Sequence, residues 1–394
     1  MDKYMYWLDN ILYLGCTAKC RLLDVFQTPE NIYKAEEKKL ARLIGDEKTG
    51  LIQKAKKEWS LESEYEKILE KNIRMLVIRE SGFPEKLRNI PDPPFALYCR
   101  GDYPKEQVPA VAVIGARECS EYGKYIAGEL GKCLGENHIQ LISGMARGID
   151  GISQYAALEA GGTSYAVMGC GVDICYPASN RKLYERLMVQ GGILSTYPPG
   201  IVPQPQLFPP RNRIVSGLAD VLVVIEARQK SGTAITVEMA LEQGRDIYAV
   251  PGRITDRLSD GCNRMLREGA HVFLSPQDFI QELKQLIPEK MDGIEGQMCK
   301  KMEVKEEGRL IHSAALANRK KSAWNASGCE ERITEQLLSV LDYYPQYIDS
   351  ITERMNAEYK KEYSVTEMNI ALMELCLCDR AQQALPGWFL KKGI

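Results

Sequence analysis

The stretch that decides the fold covers residues 110–144 and reads AVAVIGARECSEYGKYIAGELGKCLGENHIQLISG. Two short apolar runs, AVAVIGA and IQLISG, stand at its ends, and the segment between them is long enough for a helix. Similar runs recur along the chain between glycine-rich turns and helical stretches: MLVI, SYAVMG, GILS, VLVVIEA and DIYAVPG. This alternation predicts an α/β fold with a Rossmann-like, doubly wound and mostly parallel sheet. Ligands of such sheets bind beyond the carboxyl ends of the strands.

The segments on either side of this pattern have a different texture. Residues 1–70 carry helical periodicity and predict a small helical domain of the SAM or helix-hairpin-helix type. Gly15 could form the hairpin of a DNA-contacting motif, and plain helical packing is the alternative because a second glycine is missing. The Rossmann-like domain is assigned to residues 71–287 and a polar linker to residues 288–330. Three helical stretches and a terminal strand predict a winged-helix domain over residues 331–394.

Composition argues against several classes of protein. The net charge of the 394 residues is −2, so nucleic-acid binding would need a local basic patch. The twelve cysteines include no CxxC pair and only three histidines occur, which argues against metal and disulfide frameworks. Signal-peptide features, membrane-spanning runs, P-loops, HExxH and G-x-S-x-G motifs are all missing. We therefore expect a cytoplasmic protein that uses no cofactor, metal or membrane and is not an enzyme.

Small residues, hydroxyl groups and basic side chains follow the predicted strands. Arg117 comes directly after the first strand of the pattern, where backbone amides at a helix start would attract an anion. Comparable junctions follow later strands, and parallel strands end at one edge of a sheet, so we predict an anion-binding cleft there. The candidate nucleic-acid-binding residues are Arg117, Ser143, Gly144, Arg147, Arg181, Lys182, Phe208, Arg211, Asn212, Arg213, Ser231, Gly232 and Thr233.

Each of these residues also has a plainer interpretation. The GAR sequence could be a simple tight turn, and the basic pair at 181 and 182 could lie on a solvated helix surface. Arg211 and Arg213 could pair with carboxylates at the rim of the core, such as Asp220 or Glu226. The cleft hypothesis depends on the combination of loops, because no single motif is specific.

Seven motifs keep a fixed order along the chain: VIGAR, SGMARGID, GCGVDICYPASN, FPPRNR with GLAD, SGTAITVEMALEQGR, AVPG and GCNRMLREGA. In this order they resemble the DprA/Smf (DNA-processing protein A) family over about residues 72–275. The resemblance implies a homodimer that binds single-stranded DNA in the cleft, protects incoming DNA and loads the RecA recombinase during natural transformation. It also implies that the candidate residues hold the strand and that Asp150 and Asp173 are structural caps or orient arginines. One departure is Ser195-Thr196, where the family commonly has Ser-Glu.

Two other functions fit parts of the sequence. A LOG-type nucleoside monophosphate phosphoribohydrolase would need a PGGxGTxxE loop, but the turn at Ser231 lacks the PGG lead and Glu238 lies five residues beyond Thr233. An adaptor would use the C-terminal helix MNIALMELCLCDR, which is apolar and acidic rather than basic. Under the favoured hypothesis, replacing Arg117 or Arg211 with alanine is expected to weaken single-strand binding and leave the fold intact.

Overall fold

The computed structural model describes residues 2–293, 330–342, 346–361, 363–378, 380–385 and 388–391. The chain forms two compact units, one made of Met1–Glu118 with Glu129–Asp292 and the other of Cys119–Gly128 with Gly293–Ile394. Most of the linker predicted over residues 288–330 lies outside the described residues, although residues 288–293 are helical. The domain boundaries drawn from the sequence stay predictions.

The first unit begins with a group of helices. These are α1 (Lys3–Asn10), α2 (Cys16–Phe26), α3 (Pro29–Lys34), α4 (Glu37–Ile44), α5 (Asp46–Glu58) and α6 (Leu61–Glu70). Helix α3 begins after Thr28, whose hydroxyl accepts a hydrogen bond from the Asn31 amide at 3.1 Å, as preferred N-cap residues do. Apolar side chains of these helices, among them Trp7 and Leu22, share a core with residues of the sheet.

A nine-stranded sheet forms the centre of the first unit. Its strands are β1 (Arg74–Val77), β2 (Ala96–Gly101), β3 (Ala110–Gly115), β4 (Gln140–Ser143), β5 (Ser164–Val167), β6 (Gly191–Ser195), β7 (Val221–Ile225), β8 (Asp246–Ala249) and β9 (His271–Val272). The strand order is β1-β2-β6-β5-β4-β3-β7-β8-β9. In this spatial order, all strands from β6 across to β9 run parallel to one another, whereas β2 pairs antiparallel with both β1 and β6. The predicted fold class is confirmed. Strands β2 and β9 were missed from the sequence.

Helices lie between the strands along the chain, and one more follows β9. They are α7 (Glu85–Arg88), α8 (Glu121–Glu136), α9 (Ile149–Glu159), α10 (Arg181–Leu187), α11 (Phe208–Leu218), α12 (Gly232–Glu242), α13 (Asp260–Arg267) and α14 (Pro276–Leu286). Successive residues of a strand point to opposite faces, so each strand supplies two cores. In β2, Ala96 and Tyr98 join the core shared with the N-terminal helices, whereas Leu97 and Cys99 join the core on the opposite face. Burial on both faces explains the uniformly apolar strands.

The second unit contains helices α15 (Glu330–Val340), α16 (Ile348–Tyr359) and α17 (Val365–Leu377) and strands β10 (Gln346–Tyr347), β11 (Ala381–Leu385) and β12 (Trp388–Lys391). The three strands form an antiparallel sheet in the order β10-β12-β11. Helix α17 begins with a capping box between Ser364 and Glu367. Three helices and a small sheet are the parts of a winged helix, and that assignment stays a prediction. No helix in the described part of the chain is long and apolar enough to cross a membrane.

Candidate nucleic-acid interface

The sheet topology brings the predicted loops to one edge. Strand β3 lies between β4 and β7, and the chain winds in one direction from β3 to β6 and then in the other direction from β7 to β9. The carboxyl ends of β3 and β7 therefore form the switch point of the sheet, where open α/β sheets bind ligands. Gly115 at the end of β3 pairs with Ile225 at the end of β7. We call the edge formed by the loops after β3, β4, β5 and β7, with the start of α11, the carboxyl-edge cleft.

Arg117 is a basic residue beside the switch point. It lies two residues beyond β3, and its side chain is exposed. Its guanidinium carbon is 6.0 Å from the centre of the Phe208 ring, and that of Arg211 is 5.8 Å from the same ring. Both distances allow a cation–π attraction. The cleft thus combines an accessible positive charge with an aromatic ring at the start of α11.

Arg211 is buried, with only 6% of its surface exposed. Its Nη1 donates a hydrogen bond to the Gly144 carbonyl at 3.0 Å and another to the Val167 carbonyl. These carbonyls belong to the ends of β4 and β5, so one guanidinium ties two loops of the cleft to α11. Its Nε atom is buried and has no hydrogen-bond partner within the described residues.

Gly144 lies between Arg211 and a buried carboxylate. Its amide donates to Asp150 Oδ2 at 3.1 Å, while its carbonyl accepts from Arg211. A Cβ atom at Gly144 would collide with the Arg211 guanidinium and come within 2.8 Å of Asp150 Oδ2. Glycine therefore lets both side chains approach the backbone here, and the prediction that Asp150 orients an arginine fits this geometry.

Burial governs the electrostatics of this pair. It raises the pKa of the Asp150 carboxyl, and the neighbouring Arg211 charge acts in the opposite direction. Burial also lowers the pKa of Arg211, which Asp150 opposes. Neither charge is well solvated, so each depends on the other and on backbone hydrogen bonds. The burial of Arg211 argues against the expectation that it can be removed without loss of stability, because removal would leave two carbonyls without this donor and Asp150 without the neighbouring positive charge.

Asn180 joins two loops that carry further basic residues. Its Nδ2 donates to the carbonyls of Met145 at 3.0 Å and Ala146 at 3.2 Å, which joins the turn before α10 to the loop after β4. Arg147 follows Ala146 and Arg181 follows Asn180, and both are exposed. Gly148 permits this loop because its φ is +74° and a Cβ would meet the carbonyl oxygens of the Arg117 loop. The fold therefore brings the loops of Arg117, Arg147 and Arg181 together.

The remaining candidates occupy different settings. Ser143 is buried and donates to the Val113 carbonyl at 2.6 Å, so its hydroxyl is used within the sheet. Lys182 is exposed at the start of α10, and Asn212 is half-buried next to Arg211. Residues 231–233 open α12 after β7, and the Ser231 Oγ atom is buried without a hydrogen-bond partner in the described part of the chain. Gly232 is exposed and Thr233 is half-buried.

Arg213 faces away from Arg211. Its guanidinium donates to the Asp92 carbonyl and lies 3.4 Å from the Asp92 carboxylate. Two residues along a helix correspond to about 200° around its axis, which explains the separation. The alternative that an arginine of this motif pairs with a carboxylate thus applies to Arg213, whose partner is Asp92. Asp220, which was one of the carboxylates considered for that role, pairs with Lys86 and Lys290 instead. A DNA contact by Arg213 stays a prediction.

Three residues in the cleft or in contact with its loops were not identified from the sequence as candidates. Tyr176 is exposed, and its ring centre lies 5.6 Å from that of Phe208. Gln154 is buried and accepts from the Met145 amide at 3.1 Å, which fixes the loop after β4. Lys71 pairs with Asp173 at 2.7 Å, so that aspartate is paired with a lysine rather than an arginine. The Tyr176-Pro177 pair in the GCGVDICYPASN motif is the sequence feature that could have indicated an aromatic ring beside Phe208.

Comparison with known proteins gives the family. A family model described as DNA recombination-mediator protein A matches residues 74–284, more than half of the chain. The chain belongs to the DprA/Smf family. DNA processing protein DprA of Streptococcus pneumoniae is 41% identical over 207 residues, which cover 52% of this chain and 73% of the relative. Protein Smf of Synechocystis is 32% identical over 290 residues, which cover 72% of this chain and 73% of the relative.

Solved structures of the DprA/Smf family share this fold. The X-ray structure of DprA from Streptococcus pneumoniae superposes with a TM-score of 0.62 and 32% identity, and the match covers 72% of this chain and 98% of that chain. A structure of DNA processing protein A from Helicobacter pylori, described as revealing a single-stranded DNA binding mode, gives a TM-score of 0.50 and 31% identity. That match covers 54% of this chain and 96% of that chain. Both confirm the Rossmann-like fold, and membership supports a role in DNA processing.

Proposed function

We propose that this protein binds single-stranded DNA along the carboxyl-edge cleft, without sequence preference and without catalysis. The observation that carries the proposal is the exposed Arg117 guanidinium beside the Phe208 ring at the switch point of the sheet. Arginine holds phosphate through a planar fork, and an aromatic face stacks on any base. Arg147, Arg181 and Lys182 extend the positive surface, because all three are exposed on adjoining loops.

Arg211 has a different part in this proposal. Because it is buried and bonded to the loops after β4 and β5, it positions the cleft instead of meeting solvent as Arg117 does. Arg211 can also contact the DNA strand directly, because its Nε has no hydrogen-bond partner among the described residues and its guanidinium lies close to the Phe208 ring. The single-strand preference is supported by the two rings, Phe208 and Tyr176, since stacking needs bases that are not already paired. The DNA-binding description of the Helicobacter pylori relative supports the same ligand.

Replacing Arg117 with alanine should weaken binding to oligothymidine by about ten- to 150-fold, because one charge-assisted contact contributes about 1.5–3 kcal/mol. The slope of log affinity against log salt should shrink by about 0.7, the value for one phosphate contact on a single strand. Fluorescence anisotropy at several salt concentrations measures both quantities. The fold should be unaffected, because the side chain is exposed.

The matched control for this experiment is Lys132→Ala, since Lys132 is an exposed basic residue of α8 outside the cleft. It should leave both affinity and salt slope unchanged. Equal affinity of the Arg117 variant and the unaltered protein for oligothymidine at moderate salt would contradict DNA binding in the carboxyl-edge cleft. A loss of the same size in both variants would indicate only a general charge effect.

We also propose that the protein forms a homodimer, protects incoming strands and delivers them to the RecA recombinase in natural transformation and homologous recombination. Family membership and the recombination-mediator description of the matching model support this assignment. Size-exclusion chromatography with light scattering tests both the homodimer and the interaction with RecA. The protein alone should elute at twice the chain mass of 44.4 kDa, and a mixture with RecA should yield a heavier species. A monomer that leaves the elution of RecA unchanged would contradict this part of the proposal.

A further inference from the structure

A cavity lies at the opposite edge of the sheet. It has a volume of about 380 Å³, and its lining includes the basic residues Lys86, Arg245 and Lys290, the acidic residues Glu85 and Glu106, and Gln243. We call it the amino-edge pocket, because Asp220 beneath it pairs with Ala110 where β3 and β7 begin. Strand β3 is six residues long, and at about 3.3 Å per residue this separates the pocket from the carboxyl-edge cleft by roughly 20 Å.

Positive charges outnumber negative ones at the base of the pocket. The Asp220 side chain is 9% exposed, and its Oδ1 atom lies 2.7 Å from Lys86 Nζ and 2.8 Å from Lys290 Nζ. Its Oδ2 atom accepts from the Ala110 amide at 2.9 Å. Arg245 is a third cation, close enough for Asp220 to raise its pKa against the lowering effect of burial. One carboxylate therefore faces three cations.

The two glutamates do not balance this excess. The Glu85 carboxylate lies 2.7 Å from Arg88 Nη1, so its charge is already paired with that arginine. Glu106 accepts a hydrogen bond from the Glu85 amide and is exposed, so water screens its charge. The local excess of positive charge stays at the buried end of the pocket.

Two polar atoms of the pocket residues are buried and unused. Arg245 Nε and Gln243 Oε1 have no hydrogen-bond partner among the described residues. Both side chains are anchored at their other polar atom, since Arg245 Nη2 donates to the Gly217 carbonyl at 3.1 Å and Gln243 Nε2 donates to the Arg213 carbonyl at 2.9 Å. A donor and an acceptor are thus held in fixed positions, and buried polar groups of this kind are normally satisfied.

Lys86 reflects the same imbalance. Burial and the adjacent Lys290 ammonium lower the pKa of Lys86, while Asp220 acts in the opposite direction, and the resulting pKa is about 8. An anion bound beside Lys86 would favour the charged form of this lysine.

We propose that the amino-edge pocket binds a phosphomonoester dianion, either inorganic phosphate or the phosphoryl group of a small metabolite. Two negative charges match the excess of three cations over one carboxylate. Phosphate oxygens accept from the lysines and from Arg245. The volume lies within the range of about 300–1,000 Å³ for small-molecule pockets. A DNA backbone carries one charge per phosphodiester and is a poorer match.

Isothermal titration calorimetry on the full chain tests this proposal at constant ionic strength. Inorganic phosphate and adenosine monophosphate should bind with saturation, and dimethyl phosphate, a singly charged diester, should not. Tighter binding of the nucleotide would assign the site to a phosphorylated metabolite, and equal binding would assign it to phosphate. Lys290→Ala and Arg245→Gln should each weaken binding at least tenfold, and Lys132→Ala should not change it.

The Arg117→Ala variant separates this site from the DNA-binding cleft. It should bind phosphate normally even where it fails to bind DNA, so either proposal can fail without the other. A second measurement does not depend on the stability of any variant. At pH 8, near the pKa of Lys86, acetic anhydride should label this lysine, and millimolar phosphate should protect it while leaving Lys132 reactive. Absence of both saturable phosphate binding and Lys86 protection in the unaltered protein would overturn the proposal.

Discussion

Replacing Arg211 with alanine should lower the free energy of unfolding by about 3–5 kcal/mol, the range for removing one partner of a buried charged pair. The variant loses hydrogen bonds to the carbonyls of Gly144 and Val167 and leaves the buried Asp150 carboxylate without its neighbouring cation. Urea unfolding followed by circular dichroism measures the change. DNA binding should fall at the same time, because both loops lose their common anchor.

A double variant distinguishes this explanation from simple loss of packing. Asp150→Asn removes the uncompensated charge, so Arg211→Ala combined with Asp150→Asn should be destabilised by less than the sum of the two single changes. Additive losses would mean that the two charges do not interact. Arg117→Ala serves as the exposed arginine control and should leave the unfolding midpoint unchanged. An Arg211→Ala variant as stable as the unaltered protein would contradict the buried role described above.

Replacing Asp9 with alanine should also lower the free energy of unfolding by about 3–5 kcal/mol, since it breaks a buried ion pair with Lys19. The Asp9 carboxylate lies 2.8 Å from Lys19 Nζ and accepts from the Tyr98 hydroxyl at 2.6 Å. These residues belong to α1, α2 and β2 and are all buried, so the cluster joins the N-terminal helices to the sheet. Loss of the carboxylate leaves an ammonium and a hydroxyl without this acceptor.

The matched control is Glu62→Ala, which removes an exposed ion pair between Lys3 and Glu62 and should not shift the urea midpoint. Combining Asp9→Ala with Lys19→Met should recover stability relative to Asp9→Ala, because the unpaired ammonium is gone. Limited proteolysis of Asp9→Ala should cut between the N-terminal helices and β1 earlier than in the unaltered protein. Unchanged stability and unchanged cleavage together would contradict a structural role for the cluster.

Local sequence was sufficient for the α/β class and for the edge of the sheet that carries the cleft. Apolar runs such as VLVVI mark strands, and repeated alternation of such strands with long helices is typical of parallel sheets, in which residues after the strands share one edge. Arg117 and Arg147 could be placed in this way because each directly follows such a strand. Strand β2 escaped detection because the run of five apolar residues after Pro93-Pro94 has no diagnostic period. Strand β9 has two residues and carries no period at all.

Contacts between distant segments could not be read from any local pattern. Arg211 and Arg213 look equivalent in FPPRNR, but the helix turns one towards the ends of β4 and β5 and the other towards Asp92. Asp220 was considered a partner for those arginines, whereas the folded chain brings Lys86 and Lys290 to it from remote positions. Burial and pairing of a charged side chain depend on which elements pack around it. Residue type and spacing specify the strand and its following turn, and three-dimensional packing specifies which charges become buried.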